Sequence, residues 1–247
     1  MRTEDRIDTP TTLQADVAHM HIPVADQLAL DIIDGRWTPD SPYTLEDIQQ
    51  RFNVSRTVAR EASRLLESTN AVTIRRRTGI IPCPSDQWQA LNPRVIHWKL
   101  HSTQRKQELL SLTELRLSIE PAAARYAALR ASLDDKAKLP AMAVQMRHFA
   151  QSGHLNHFHD MDIEFHSLIL RSCGNELFAS FSDTIATILR GRVEIDMYPA
   201  APKPEALDAH DAVANAIWKG DGDLAYEAMH RIVDEVEESL LSAPDTE

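Results

Sequence analysis

The sequence predicts a mainly α protein in two parts: an N-terminal winged helix-turn-helix, and a C-terminal all-α helical bundle. Three observations carry this. Seven glycines against thirteen prolines in 247 residues are too few for the many tight turns of an all-β barrel or sandwich. Apolar residues recur at helical spacing along most of the chain. A hydrophobic fraction of 43% supplies core for one or two domains of ordinary size. No run approaches the ~20 apolar residues of a membrane span, and the polar start lacks a signal-peptide core. A soluble cytoplasmic protein is therefore expected. Cys83 and Cys173 have no CxxC spacing and read as reduced, structural thiols.

Residues 1–20 are polar, without sustained periodicity, and read as a mobile arm. From Ile22, the residues Val24, Leu28, Ile32 and Ile33 mark a helix that Gly35 stops. A turn follows over 38–42. Thr44, with Asp47 three residues on, makes a capping-box start for a short helix carrying Leu45, Ile48 and Phe52. Ser55 caps a third helix whose Val58, Ala62, Leu65 and Leu66 share a face, and Asn70, tolerant of the left-handed conformation, ends it. Residues 72–75 and 79–81 read as strands around a basic turn. Three helices and a ribbon in this order make a winged helix-turn-helix, assigned to 21–84.

Pro82, Pro84 and Asp86 break the pattern, so 85–103 is read as a linker and connecting helix, the helix covering 88–101. Helices are then expected over 104–131, 134–151, 155–173, 175–196, 204–219 and 222–241. Ser132, Gly153, Gly174, the 199–202 loop and the Gly220 to Gly222 turn separate them. Six amphipathic helices are most economically packed as a bundle, assigned to 104–242.

A net charge of −11 argues against nucleic acid for the chain as a whole. Its distribution argues otherwise. Residues 51–84 carry seven arginines and two acids, an excess of +5, whereas 85–247 carry 16 basic and 25 acidic residues. Such asymmetry suggests a nucleic-acid-binding module joined to an acidic domain with another task. Arg56 and Arg60 lie four apart on the third helix, suited to guanine edges or phosphates, and the wing adds Arg75, Arg76 and Arg77. On an isolated helix the same residues equally describe a solvated face paired with Glu61 and Glu67. The order of elements and the basic wing favour DNA.

In the acidic part, Asp162 and His166 stand at i and i+4, so one rigid helix can present two ligands to one cation. Ile163, Phe165, Leu168 and Ile169 sink that helix into the bundle, where polar groups need partners. His210 opens another apolar-striped helix and can supply a third ligand. Arg116 and Glu120 sit one turn apart among Leu112, Leu115, Ile119 and Ala123, and an inward guanidinium is suited to gripping a carboxylate. The plainer alternatives are a simple Asp–His hydrogen bond and a surface Arg–Glu pair. His148, His154, His157 and His159 are assigned to solvated faces.

These residues match a family. The run 54–62 (VSRTVAREA), with Gly35 and Pro39 before it and Arg77 to Gly79 after, resembles the recognition helix and wing of GntR-type regulators. The downstream part looks like the ligand-binding (FCD-type) domain of the FadR subfamily: Glu114 to Arg116, Ile119 to Pro121, Asp162 to His166, Cys173 to Asn175, and Asp208 to His210. The resemblance spans roughly 22–241. It implies a homodimeric transcription factor that binds palindromic operator DNA and releases it when a small carboxylate enters the helical domain. Carried over by position, Arg56 and Arg60 contact DNA, with Ser55, Thr57, Arg75, Arg76, Arg77 and Gly79 at the same surface. Asp162, His166 and His210 bind a divalent metal (Zn, Ni or Mn), and Arg116 with Glu120 completes the effector site. The runs around Trp88, His97, Trp98 and Glu120 to Tyr126 are similar to regulators of sugar-acid catabolism of the galactonate and gluconate type, which implies an aldonate effector. Ile232 stands where many relatives carry a fourth histidine, and His230, two residues earlier, points about 200° away on a helix. Asp40 and Asn70 replace common glycines as residues that can adopt positive φ.

An enzyme is not expected. A His/His/Asp site can activate water in a metal hydrolase, yet no general base is evident beside it and a hydrolase has no use for a DNA module. A metal-dependent regulator that responds to another small carboxylate, or to metal itself, is the remaining alternative.

Overall fold

A computed structural model describes residues 20–195 and 202–242. The arm expected over 1–20, apart from Met20, and most of the 199–202 loop lie outside those residues. The chain divides between Ala90 and Leu91 into two compact units, and each is built by its own local signals.

In the first unit, α1 (His21–Ile33), α2 (Leu45–Phe52) and α3 (Arg56–Ser68) precede a ribbon of β1 (Val72–Arg75) and β2 (Gly79–Pro82). The capping box forms as its residues dictate: Thr44 N–H donates to Asp47 Oδ2 at 2.7 Å and Asp47 N–H to Thr44 Oγ1 at 3.2 Å. Ser55 Oγ accepts from Val58 N–H at 3.3 Å, starting α3 where its side chain is a preferred cap. The helices close on Leu28, Ile48, Ala62 and Leu66, all fully buried. Asp31 is also buried, and Arg51 Nη2 at 2.6 Å with Arg36 Nε at 2.8 Å neutralises it. Arg51, one of the seven arginines of the basic stretch, is thus engaged by a buried carboxylate although its own side chain stays partly exposed. The ribbon is antiparallel with Arg75 opposite Gly79. Its turn places Arg77 at φ 73°, and Asn70 takes φ 61°. Asp40 is not among the residues of positive φ, contrary to expectation.

The second unit contains α4 (Pro93–Leu100), α5 (Arg105–Arg130), α6 (Leu133–Gln151), α7 (Leu155–Ser172), α8 (Glu176–Ala179), α9 (Ser182–Glu194), α10 (Pro204–Lys219) and α11 (Gly222–Ser242). The 26-residue α5 is its axis, packed by α11, α7 and α10, with α6 against α7 and α10, and α9 against α7 and α4. Two expected helices are corrected. The span 88–101 is not one helix: Ser85–Gln87 forms a 3₁₀ turn, Trp88 is extended, and α4 begins only at Pro93. Asn92, which accepts from Arg94 N–H at 3.0 Å, and Pro93 at the first helical position are the start signal, and they outweigh the apolar spacing of Trp88 and Leu91. The span 175–196 is split into α8 and α9 at Ser180 and Phe181, where Ser182 Oγ bonds the Ala179 carbonyl at 2.7 Å. No described helix is long and apolar enough to cross a membrane.

Candidate functional site

Two chemically distinct surfaces emerge. On the first unit, α3 buries Val58, Ala59, Ala62 and Leu66 and exposes Ser55, Arg56, Thr57 and Arg60. A helix with one apolar stripe can do nothing else with these residues. Arg60 is 54% exposed, and its only close charge is Glu61 at 3.6 Å among the ion pairs of this helix. Arg64 pairs with the same glutamate at 3.1 Å and is turned to that use. Arg75, Arg76 and Arg77 are all exposed on the ribbon. Gly79 is required where it stands: a Cβ there would meet the Tyr43 carbonyl oxygen at 2.6 Å, against which the ribbon is bridged through Ile80.

The second unit encloses a buried polar pocket. Arg116 and Glu120 from α5, Asp162 and His166 from α7, and His210 from α10 are each at most 4% exposed. The apolar stripe of each helix fixes which residues point inward, and these polar residues fall on it. Arg116 Nε donates to Glu120 Oε1 at 2.5 Å, and Glu120 Oε2 accepts from His166 Nδ1. The plain reading of Arg116 and Glu120 as a surface pair is thereby excluded.

Burial alone would raise Glu120, but the guanidinium of Arg116 and the imidazole of His166 hold it down at about 2. Burial would lower His166, and the facing carboxylates of Glu120 and Asp162 instead lift it to about 9. Asp162, raised by burial, is held well below its ordinary value by hydrogen bonds from His166 and His210.

The donor atoms fit a divalent cation. His210 Nδ1 donates to the Ala206 carbonyl at 2.7 Å, and His166 Nδ1 is taken by Glu120, so both rings turn Nε2 inward. Those atoms lie 3.0 and 3.6 Å from Asp162 Oδ1. Ligand atoms at 2.0–2.2 Å from a tetrahedral zinc stand about 3.3–3.6 Å apart, so the His166 separation already suits a shared ion and the hydrogen-bonded His210–Asp162 pair would open by about 0.3 Å to admit one. Ile232 lines the same pocket, so a fourth histidine is replaced there by an apolar wall. His230 instead faces Tyr226.

One residue escaped the sequence reading and one was misassigned by it. Arg192, 6% exposed, enters the pocket wall from α9. It continues the stripe of Ile185, Ile188 and Leu189, the same signal that singles out Arg116. His159, expected on a solvated face, is half-buried, and burial lowers its pKa. The pocket's free volume is about 70 Å³, below the ~300 Å³ of typical small-molecule sites. A larger open groove of about 580 Å³ between α6 and α7 has its charges paired off, Lys138 with Asp135 and Arg171 with Glu164, and no polar set converges on it.

A winged helix-turn-helix with a basic face, followed by a helical unit built around a buried polar pocket, defines a DNA-binding transcriptional regulator with a ligand-sensing domain. Residues 23–81 match the family of bacterial regulatory proteins of gntR type, and 111–235 match the FCD domain. The chain belongs to the GntR family and carries an FCD domain; it is a transcriptional regulator, not an enzyme. It is 30% identical over 203 residues to the galactonate operon transcriptional repressor of Escherichia coli K12, covering 81% of this chain and 88% of that one. The uncharacterised regulator YieP of the same organism is 26% identical, covering 90% and 92%. Among solved structures, Lar, described as controlling the agr system of Listeria monocytogenes, shares the fold at a TM-score of 0.58 and 16% identity, covering 97% of this chain and 100% of that one.

Proposed function

We propose that this regulator is a homodimeric repressor of sugar-acid catabolism, released from its operator by an aldonate of the gluconate or galactonate type. In this reading 21–84 is the DNA-binding domain, 85–103 joins it to the rest, and 104–242 binds effector and dimerises. The observation that carries the proposal is the convergence of Asp162, His166 and His210 with the buried Arg116 in one pocket. The relative named for the galactonate operon supports the effector class.

Asp162, His166 and His210 would hold a divalent metal (Zn, Ni or Mn), with three protein ligands and no fourth histidine at Ile232. When bound, the metal supplies a Lewis-acid site for a carboxylate or hydroxyl of the effector. Arg116, braced by Glu120, presents its guanidinium to the effector's carboxylate, and Arg192 adds a second positive charge from α9. Glu120 orients His166 through Nδ1, and the Ala206 carbonyl orients His210. A six-carbon acid exceeds the pocket's present free volume, so its entry requires the lining helices to shift. That shift is the means by which differential affinity for two conformations reaches the DNA-binding units. On DNA, Arg56 and Arg60 read base edges or phosphates while Ser55, Thr57, Arg75, Arg76, Arg77 and Gly79 meet the backbone and adjacent groove.

The test is operator binding titrated with gluconate and galactonate. Release at millimolar concentration is expected, and unchanged affinity with every aldonate would overturn the effector class. The small free volume favours one second reading, a response to metal alone. Operator affinity that follows metal and ignores aldonates would select it.

A further inference from the structure

A separate cluster lies on the surface of the helical unit. We infer that His97, His101 and Glu194 form a second site for a divalent transition metal, distinct from the buried pocket and joining α4 to α9. Each residue offers one ligand atom, and these atoms lie within 4.8 Å of one another. His97 lies on α4 and His101, four positions on, is its C-cap residue, so their rings stand side by side with centroids 4.1 Å apart. The His101 Nδ1 is 2.8 Å from the His97 carbonyl oxygen, an acceptor only. Nδ1 therefore carries the proton, and in the neutral ring Nε2 turns its lone pair outward. What it faces is Glu194 Oε2, at 3.7 Å, and His97 Nδ1 lies 3.6 Å from the same oxygen.

Both separations are too long for hydrogen bonds. Both are close to the about 3.3–3.6 Å between ligand atoms that share one tetrahedral zinc. The register has its own structural cause. A Cβ on Gly191 would meet Leu100 Cδ1 at 2.4 Å, so α9 packs closely against α4 here and a larger residue would displace the Leu100 side chain. Glu194, three residues further, lies on the same side of α9 and opposite the two histidines. The three side chains are between 31% and 49% exposed, so an ion reaches them from solvent and keeps water in its open positions. Two imidazoles with one carboxylate select zinc, nickel or copper(II) over calcium and magnesium, which prefer oxygen.

The experiment is a calorimetric titration of the untagged, demetallated full-length chain with Zn(II) and with Ni(II), counting equivalents bound. The His101→Ala variant is expected to bind one equivalent fewer than wild type, and Glu194→Gln to lose at least tenfold in affinity for that equivalent. His154→Ala, an exposed histidine outside the cluster, keeps the wild-type count. Metal held by the buried pocket is common to all five proteins compared, the double variant below included, and cancels, so failure of that site does not mimic failure of this one. Equal stoichiometry and affinity in wild type and a His97→Ala/His101→Ala double variant would overturn the assignment.

Discussion

The basic face of α3 and the buried pocket of the helical unit use the same kinds of residue under opposite conditions. Arg56 and Arg60 stand in solvent, where water screens them and they interact only weakly with their neighbours. Arg116, Glu120, Asp162, His166 and His210 have given up that solvation, and the charge states of Glu120, Asp162 and His166 are set by their neighbours in the pocket. The exposed arginines are therefore free to spend their energy on a partner and contribute little to folding. The pocket residues hold the fold and, under the proposed function, the ligand site at once, so neither role can be altered without the other.

Substitution at Glu120 is the strongest way to break that contrast. Glu120→Gln removes the charge that faces both Arg116 and His166, and should destabilise the protein by about 3–5 kcal/mol in urea unfolding, since a buried pair loses one partner. A variant as stable as wild type would mean that the pocket charges are not coupled. At the other pole, Arg60→Ala should leave stability within about 0.5 kcal/mol and weaken operator binding by about 1–3 kcal/mol, with a shallower salt dependence. Wild-type affinity in a gel-shift assay would remove Arg60 from the DNA surface.

Proton linkage sharpens the comparison. In the metal-free pocket the facing carboxylates keep His166 protonated up to about pH 9, and a ligand nitrogen must be deprotonated to bind metal. Below that pH, metal affinity at the buried site should rise by up to about tenfold per pH unit, or about 1.4 kcal/mol, with protons released in calorimetry run in two buffers. The same raised pKa means that the metal-free protein loses the stabilisation of His166 as pH rises through about 9, having it in full below the ordinary histidine value. A flat metal affinity between pH 6 and 8 would show that His166 is not a ligand. The smallest effect is expected at the wing. Arg77→Gly removes a side chain from φ 73° and should stabilise the first unit by about 1 kcal/mol while lowering DNA affinity, a separation of stability from binding unavailable in the pocket.

Much of this was legible in the sequence because it is local. Thr44 with Asp47, Ser55, Asn70 and Gly79 announce their caps and turns through short-range hydrogen bonds and backbone freedom, and the structure forms each of them. The inward positions of Arg116, Asp162, His166 and His210 followed from apolar stripes of period 3.6. The errors arose where two local signals competed: Asn92 and Pro93 overruled the apolar spacing from Trp88, and the turn at Ser180 cut a continuous stripe in two.

The sequence by itself determined the class of protein, the reading helix and the polar residues that enter the bundle, because caps, periodicity and charge distribution act between residues a few positions apart. Only the tertiary structure decided which of those residues meet. That Glu120 bonds His166 from 46 residues away, that Arg51 serves Asp31 rather than a phosphate, that Arg192 joins the pocket and that Glu194 comes to face His97 and His101 all depend on how helices pack. Packing is set by the sum of many side-chain contacts, and no single stretch of chain contains it.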